Sequence, residues 1–139
     1  MREIRHATKV DTGAIFDLLE TVYHPSPWTY MQVEISLSSP HEHTFQMVDG
    51  TELLGLVTVL DLGEEVEILQ VATHPDHRHR GVASCLLTAA LQDKRAFLEV
   101  RENNRAAISL YKSFGFVAVG HRPYYYHNPR EDAIIMRKE

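Results

Sequence analysis

The stretch from Ile68 to Leu91 constrains the fold more than any other part of this chain. An apolar run, Ile68 to Val71, passes into Ala72-Thr73-His74-Pro75-Asp76, a proline-and-charge turn. His77-Arg78-His79-Arg80-Gly81-Val82-Ala83 follows, and a helical pattern then runs from Ser84 to Leu91. The order is a strand that stops, a small-residue loop and a helix N-terminus. Loop and first-turn N–H groups have no helical partner there, and the helix dipole favours an anion beside them. Small residues at Gly81 and Ala83 let a ligand come close to the backbone. Phosphate suits such a cradle, although a plain strand–turn–helix connection with an incidental glycine would read the same way.

A second segment, Leu98 to Phe116, reads as a short strand, a polar helix start, an amphipathic helix and a glycine stop. Ala107, Ile108, Tyr111 and Phe114 fall on one helical face. Asn103 or Asn104 can cap the start, and Gly115 suits the left-handed position just past the end.

The loop Arg78-x-x-Gly81-x-Ala83 resembles the acetyl-CoA pyrophosphate loop of the GNAT N-acetyltransferases, whose pattern is Q/R-x-x-G-x-G/A. Asn104-x-x-Ala107-x-x-Leu110-Tyr111-x-x-x-Gly115-Phe116 resembles a second segment of that superfamily, in its usual order and separation. A narrower resemblance, to bacterial ribosomal-protein-alanine N-acetyltransferases of the RimI type, runs along most of the chain. It rests on Ser26-Pro27-Trp28, the Leu98-Glu99-Val100-Arg101 strand, Tyr124-Tyr125-Tyr126, and above all Arg130-Glu131-Asp132-Ala133-Ile134-Ile135-Met136. Two departures stand out. Leu91 to Ala96 is several residues short, which implies a trimmed helix, and the last small position of the loop is Ala83 rather than glycine.

Periodicity along the chain predicts an α/β (α+β) order. A strand at Glu3–Thr8 precedes a helix at Val10–Val22, with Ile15, Leu18, Leu19 and Val22 on one face, then a Pro-broken loop from Tyr23 to Trp28 and a helix at Tyr30–Leu37. Strands at Phe45–Val48 and Leu53–Leu60 form a hairpin around Asp49-Gly50. A strand at Glu65–Thr73, the phosphate-loop helix, a strand at Arg95–Val100, a helix at Asn104–Phe114, and strands at Phe116–Tyr126 and Asp132–Arg137 complete the path. This β-α-α-β-β-β-α-β-α-β-β order is that of the GNAT fold. The resemblance implies a mixed central sheet whose fourth and fifth strands splay apart to admit the pantetheine arm.

At 139 residues the chain suits a single domain, 1–139, with no repeat or linker at which to divide it. No apolar run is long enough to span a membrane, and Met1-Arg2-Glu3-Ile4-Arg5-His6 lacks a signal peptide's apolar stretch. One cysteine, Cys85, fits a reducing cytoplasm. Its neighbours Val82, Leu86 and Ala89 suggest core packing. The net charge of −5 argues against a nucleic-acid partner and is compatible with a basic protein substrate. Nothing in the sequence specifies oligomeric state.

Acetyl transfer to an amine needs an uncharged nitrogen, a place for the carbonyl's developing charge and a proton for the departing thiolate. An α-amino group, with a pKa near 7.7–8.0, is roughly a tenth neutral at pH 7, against less than about a thousandth for a lysine. One carboxylate base therefore suffices. By the resemblance, Glu99 is that base and Tyr111 the acid. Glu67 is the rival base, at an inward-capable position alternating with Leu69 and Val71, while Glu102 near a helix start reads as dipole-compatible surface. The resemblance also implies that a backbone N–H near Val71, Ala72 and Thr73 holds the thioester oxygen. Arg78, His79, Arg80, Gly81, Val82 and Ala83 then bind the pyrophosphate, and Asn104 contacts the cofactor arm besides capping its helix.

His74, His77 and His79 lie close together, but without supporting cysteines or helical spacing they read as polar surface beside phosphate, and no metal is expected. Trp28, Tyr30 and Tyr124 to Tyr126 are candidate aromatic contacts for a peptide. The expected activity is acetyl-CoA-dependent acetylation of a protein N-terminus, with the N-terminal alanine of a ribosomal protein as substrate. Acetylation of lysine side chains, a polyamine or another small amine is the alternative. A catalytically silent acyl-CoA-binding regulator is a third reading, opposed by the retention of Glu99 and Tyr111.

Overall fold

Thr44–Val48 and Leu54–Val59 are buried without alternation, as strands covered by helices on both sides must be. The computed structural model, which describes residues 1–127 and 129–139, shows why. Strands β1 (Arg2–His6), β2 (Glu42–Asp49), β3 (Glu52–Asp61), β4 (Glu65–Thr73), β5 (Arg95–Arg101), β6 (Val117–Tyr126) and β7 (Glu131–Lys138) form one sheet, ordered β1-β2-β3-β4-β5-β7-β6. Helices α1 (Thr12–Tyr23) and α2 (Tyr30–Ser38) follow β1, α3 (Val82–Leu91) follows β4, and α4 (Arg105–Ser113) follows β5. The sequence order is the expected one.

Two cores flank the sheet. On one face Ile15, Leu18, Leu19 and Val33 of α1 and α2 pack on Leu56 and Ala72. On the other, Val82, Leu86, Leu87 and Tyr111 of α3 and α4 pack with Val57, Ile68, Leu98, Phe116 and Met136. Each fully buried Leu or Phe side chain contributes roughly 1.5–3 kcal/mol. Thr44 and Thr58, polar residues buried between the central strands, satisfy each other through a hydroxyl–hydroxyl hydrogen bond of 2.7 Å.

Two irregularities in β4 shape the molecule. All neighbouring strands are antiparallel except β4 and β5, whose parallel register runs only from Glu65↔Arg95 to Ile68↔Leu98. Both strands continue beyond it, to Thr73 and Arg101, without pairing, and so they part. At the same level the β3–β4 register slips, with Val59↔Ile68 followed by Thr58↔Gln70, and Leu69 is the extra residue. This bulge reverses the alternation. Ile68 and Val71 both pack toward α3, while Ala72 packs toward α1. Glu67 therefore does not alternate with Leu69 and Val71 as expected, and it shares a sheet face with Ala72 instead.

Helix α3 begins at Val82, two residues earlier than its apolar pattern suggested, and seats against Gly55 of β3. A Cβ at Gly55 would lie 2.7 Å from Val82 Cγ1 and 2.8 Å from the Ala72 carbonyl oxygen. Its buried residues are Val82, Leu86, Leu87, Ala90 and Leu91. At 100° per residue Cys85 falls on the opposite side. It is exposed, which corrects its reading as core. The short link after α3 is made by Gln92 and Asp93, consecutive residues in the left-handed region (φ 48° and 61°). Helix α3 ends at Leu91, and β5 starts at Arg95.

Candidate active site

Where β4 and β5 part, backbone polar groups lose their sheet partners and must find others. The Val71 carbonyl accepts a hydrogen bond from the Tyr23 hydroxyl, so it points away from β3 and into the gap. In a non-hydrogen-bonded antiparallel pair the N–H of the same residue points the same way. Val71 N–H is thus a donor facing the gap. Tyr23, the last residue of α1, escaped the sequence analysis because the Pro-broken loop was begun there. Its spacing of four from Leu19 was the available signal.

Tyr111 reaches the gap from α4. Its ring is buried, 5.7 Å from that of Phe116. Burial, and then the nearby phenols of Tyr23 and Tyr126, hold its pKa well above the ordinary 10, so the hydroxyl keeps its proton. Burial chiefly, and then the Glu99 carboxylate, push Tyr126 up to about 12.

Glu99 is the first residue of β5 beyond the last position paired with β4. On this strand Ala96, Leu98 and Val100 are buried among α3 and α4, so Glu99 projects from the opposite face with a side chain 16 % exposed. Its Oε2 is buried and has no hydrogen-bond partner, and its Oε1 lies 3.8 Å from the Arg122 guanidinium of β6. Glu67, in register with Phe97, shares this face. Burial and then the Glu99 charge raise its carboxyl pKa, with Arg122 opposing them. The Tyr125 phenol is raised by burial and by its contact with Glu99. Arg122, whose guanidinium lies 5.4 Å from the Tyr125 ring centroid, was not found from the sequence. Only the fold, which brings β6 next to β7 and β7 next to β5, sets it opposite Glu99.

The phosphate-loop residues sit at one end of the gap. Val71, Ala72 and Thr73 end β4, and Arg78 to Arg80 lead to Gly81, the left-handed cap of α3 (φ 77°). The first helical hydrogen bond runs from Cys85 N–H to the Gly81 carbonyl, which leaves the N–H groups of Val82, Ala83 and Ser84 without helical acceptors. The positive charge of Arg78 is close enough to lower the Tyr23 pKa against the effect of burial. Asn104 caps α4, its Oδ1 accepting from Ala107 N–H at 3.2 Å, and Gly115 takes the expected left-handed conformation (φ 92°). The arrangement can hold an anion at the start of α3, receive an extended arm along the unpaired edge of β4, and take up or give a proton at Glu99 and Tyr111.

The rings of His74 and His77 meet edge-on, 5.7 Å between centroids, but each histidine nitrogen contact is made with a different residue. His77 pairs with Glu52 at 3.2 Å, His74 Nδ1 accepts from Asp76 N–H, and His79 has φ 63°. Among the described residues, the side chains with ligand spacing are Glu102, His121 and Asp132, where His121 pairs with Asp132 at 3.0 Å. Of the aromatic candidates, Trp28 packs against the α1–α2 core, whereas Tyr30, Tyr124 and Tyr125 are exposed. Tyr126 lies under the Arg101 guanidinium, 4.4 Å from ring centroid to Cζ.

The acetyltransferase (GNAT) family model matches residues 11–116. The N-alpha-acetyltransferase RimI of Mycobacterium tuberculosis is 35% identical over 120 residues, 81% of this chain and 76% of that protein. The [ribosomal protein bS18]-alanine N-acetyltransferase of Escherichia coli K12 is 31% identical over 98% of this chain and 96% of its own length. The crystal structure of the ribosomal-protein-S18-alanine N-acetyltransferase from Escherichia coli superposes with a TM-score of 0.90 at 27% identity, covering 99% of this chain and 93% of that one. The parting of β4 from β5, the left-handed glycine opening α3 and these likenesses lead to one conclusion: the chain belongs to the GNAT acetyltransferase family and is an acetyl-CoA-dependent N-acetyltransferase.

Proposed function

We propose that this enzyme acetylates the α-amino group of a protein N-terminus, with the N-terminal alanine of a ribosomal protein as its substrate, Glu99 as the base and Tyr111 as the acid. The observation that carries the reading is Glu99 Oε2, a buried carboxylate oxygen with no hydrogen-bond partner at the mouth of the gap. An unmatched buried acceptor is costly unless a ligand's donor meets it, and an amine supplies that donor. The relatives named above, one of them matched over nearly its whole length, carry the activity in their names.

When bound, acetyl-CoA supplies its acetyl group as a thioester, which an uncharged amine attacks directly. The free N–H groups of Val82, Ala83 and Ser84, with Arg78, His79, Arg80 and Gly81, receive the pyrophosphate, while Val71 to Thr73 and Asn104 line the arm. Val71 N–H, which faces the gap, would stabilise the charge that develops on the thioester oxygen. Glu99 takes the proton that the amine loses. Tyr111, kept protonated by its burial, gives a proton to the departing sulfur. The whole chain acts as one catalytic domain. The single cysteine, Cys85, supports a reducing, cytoplasmic location. Among the described residues no helix is long and apolar enough to cross a membrane.

A second reading has a specific observation behind it. Burial and the neighbouring Glu99 charge raise the Glu67 carboxyl, which makes it the candidate base for a lysine or small-amine acceptor. Intact-mass analysis of an Ala-initiated ribosomal peptide and its N-terminally blocked form, both with free lysines, separates the readings. Blocking should remove most acetylation. Unchanged acetylation of the blocked peptide would transfer the assignment to the lysine-directed alternative.

A further inference from the structure

We propose that Arg122 is a specificity-determining residue that holds the place of the acceptor: in the free enzyme its guanidinium faces the Glu67–Glu99 carboxylate pair, and the primary ammonium of the incoming substrate displaces it there. The inference rests on the gap being the acceptor site, as in the proposed function, but not on which amine is preferred.

The local charges single out Arg122. Arg101 is committed: it bonds Glu131 at 3.2 Å and the Pro129 carbonyl at 3.0 Å, and stacks on Tyr126. Arg137 is committed as well, bonding Glu65 at 2.9 Å with its guanidinium over Phe97. Arg122, by contrast, makes no hydrogen bond among the described residues. At 3.8 Å from Glu99 Oε1 it is an ion pair too long for a hydrogen bond, and its side chain is 54 % exposed. The other groups beside the pair are phenols of β6, Tyr125 next to both carboxylates and Tyr126 next to Glu99; Tyr111 of α4 and Tyr23 of α1 lie beyond Tyr126. With phenols neutral at physiological pH, two carboxylates face one loosely held cation.

Such a site carries a net negative charge when both carboxylates are ionised, and it has an unpartnered acceptor at Glu99 Oε2. An ammonium brings the N–H donors that Arg122 does not deliver. As it enters, the guanidinium, already 5.4 Å from the centroid of the exposed Tyr125 ring, can turn outward and give up only its 3.8 Å ion pair with Glu99. Arg122 thereby opposes the rise of the Glu67 carboxyl while the site waits, and competes with the cation that the site selects.

The test uses the full chain as wild type, Arg122→Gln and Arg122→Lys, with Glu67→Gln to assign the Glu67 carboxyl resonance in protein labelled with 13C-glutamate. Loss of a cation raises a carboxylate's pKa, so Arg122→Gln should move the Glu67 titration, and the acid limb of kcat/KM for an Ala-initiated peptide, upward by about 0.2–0.7 pH units. At pH 8 the same variant should lower the peptide KM by about two- to fivefold. Arg122→Lys should restore both. Alaninamide should perturb the Glu67 titration more in Arg122→Gln than in wild type, and N-acetylalaninamide in neither. A Glu67 titration unchanged by Arg122→Gln, a raised KM, or indifference to alaninamide would each overturn the proposal. If the Glu67 titrations respond to Arg122→Gln and to alaninamide as expected while no α-amine is acetylated, the placeholder stands and the N-terminal reading fails.

Discussion

Substituting Gly55 by alanine tests whether the seat of α3 on β3 sets the geometry of the cofactor loop. The added methyl would lie 2.7 Å from Val82 Cγ1 and 2.8 Å from the Ala72 carbonyl oxygen, against roughly 3.5–4.0 Å for an unstrained carbon contact. Val82 is 2 % exposed, and a valine in a helix has one strongly preferred rotamer, so it cannot turn aside. The Ala72 carbonyl belongs to β4 backbone. Helix α3 must therefore shift at its first turn, at an expected cost of about 1–3 kcal/mol. For a chain of this length that corresponds to a fall in melting temperature of roughly 3–12 °C. The strained turn is also the one carrying the free N–H groups of Val82, Ala83 and Ser84, so acetyl-CoA affinity should fall by about tenfold. Gly50→Ala is the control, because its Cβ meets nothing within 4 Å and only the left-handed φ of 63° opposes it. That variant should lose stability of order 1 kcal/mol and keep its cofactor affinity. Thermal denaturation and calorimetric titration with acetyl-CoA supply both measurements. A Gly55→Ala protein that melts within a degree of wild type and binds acetyl-CoA equally well would refute the reasoning.

Other substitutions probe the chemistry and the surface. Glu99→Gln and Tyr111→Phe should each lower kcat by about 10²–10⁴-fold with acetyl-CoA affinity nearly unchanged; if Glu99→Gln keeps most activity and Glu67→Gln abolishes it, Glu67 is the base. The folded-state pKa of Glu67 is raised, so its protonated form stabilises the fold at low pH and that contribution is lost as pH rises through the folded value. Glu67→Gln should accordingly gain melting temperature relative to wild type at pH 8 and not at pH 4, and an equal difference at both would contradict the burial argument. Exposed Cys85 should react with one equivalent of a maleimide in the native protein, and labelling that required unfolding would return it to the core.

The elements that the sequence located well are those whose ends carry local stop signals. The range of β4 matched at both ends, and α4 came within a residue of its expected limits, because glycine, asparagine and alternation act locally. Cys85 was misplaced for a different reason. In Val82–Leu91 the small and apolar residues run around most of the helix, so the pattern alone does not say which side is covered. The sheet decides it, through the pocket that Gly55 opens under Val82.

What was illegible is the part of the site made by interruption. The bulge at Leu69 and the loss of β4–β5 pairing after Ile68 occur together, and neither leaves a mark in a run of apolar residues. Their joint effect is chemical. The bulge turns Val71 toward α3 and leaves its backbone facing the gap, while the parting exposes Glu99 on the other side of it. Tyr23 and Arg122 are drawn in from α1 and β6 because the gap leaves a carbonyl and a carboxylate to be matched. A continuous ladder would have satisfied that carbonyl with an amide and left neither side chain a role. The residues hardest to read from the sequence are thus those that answer a missing hydrogen bond, and a missing hydrogen bond is what a ligand needs to find.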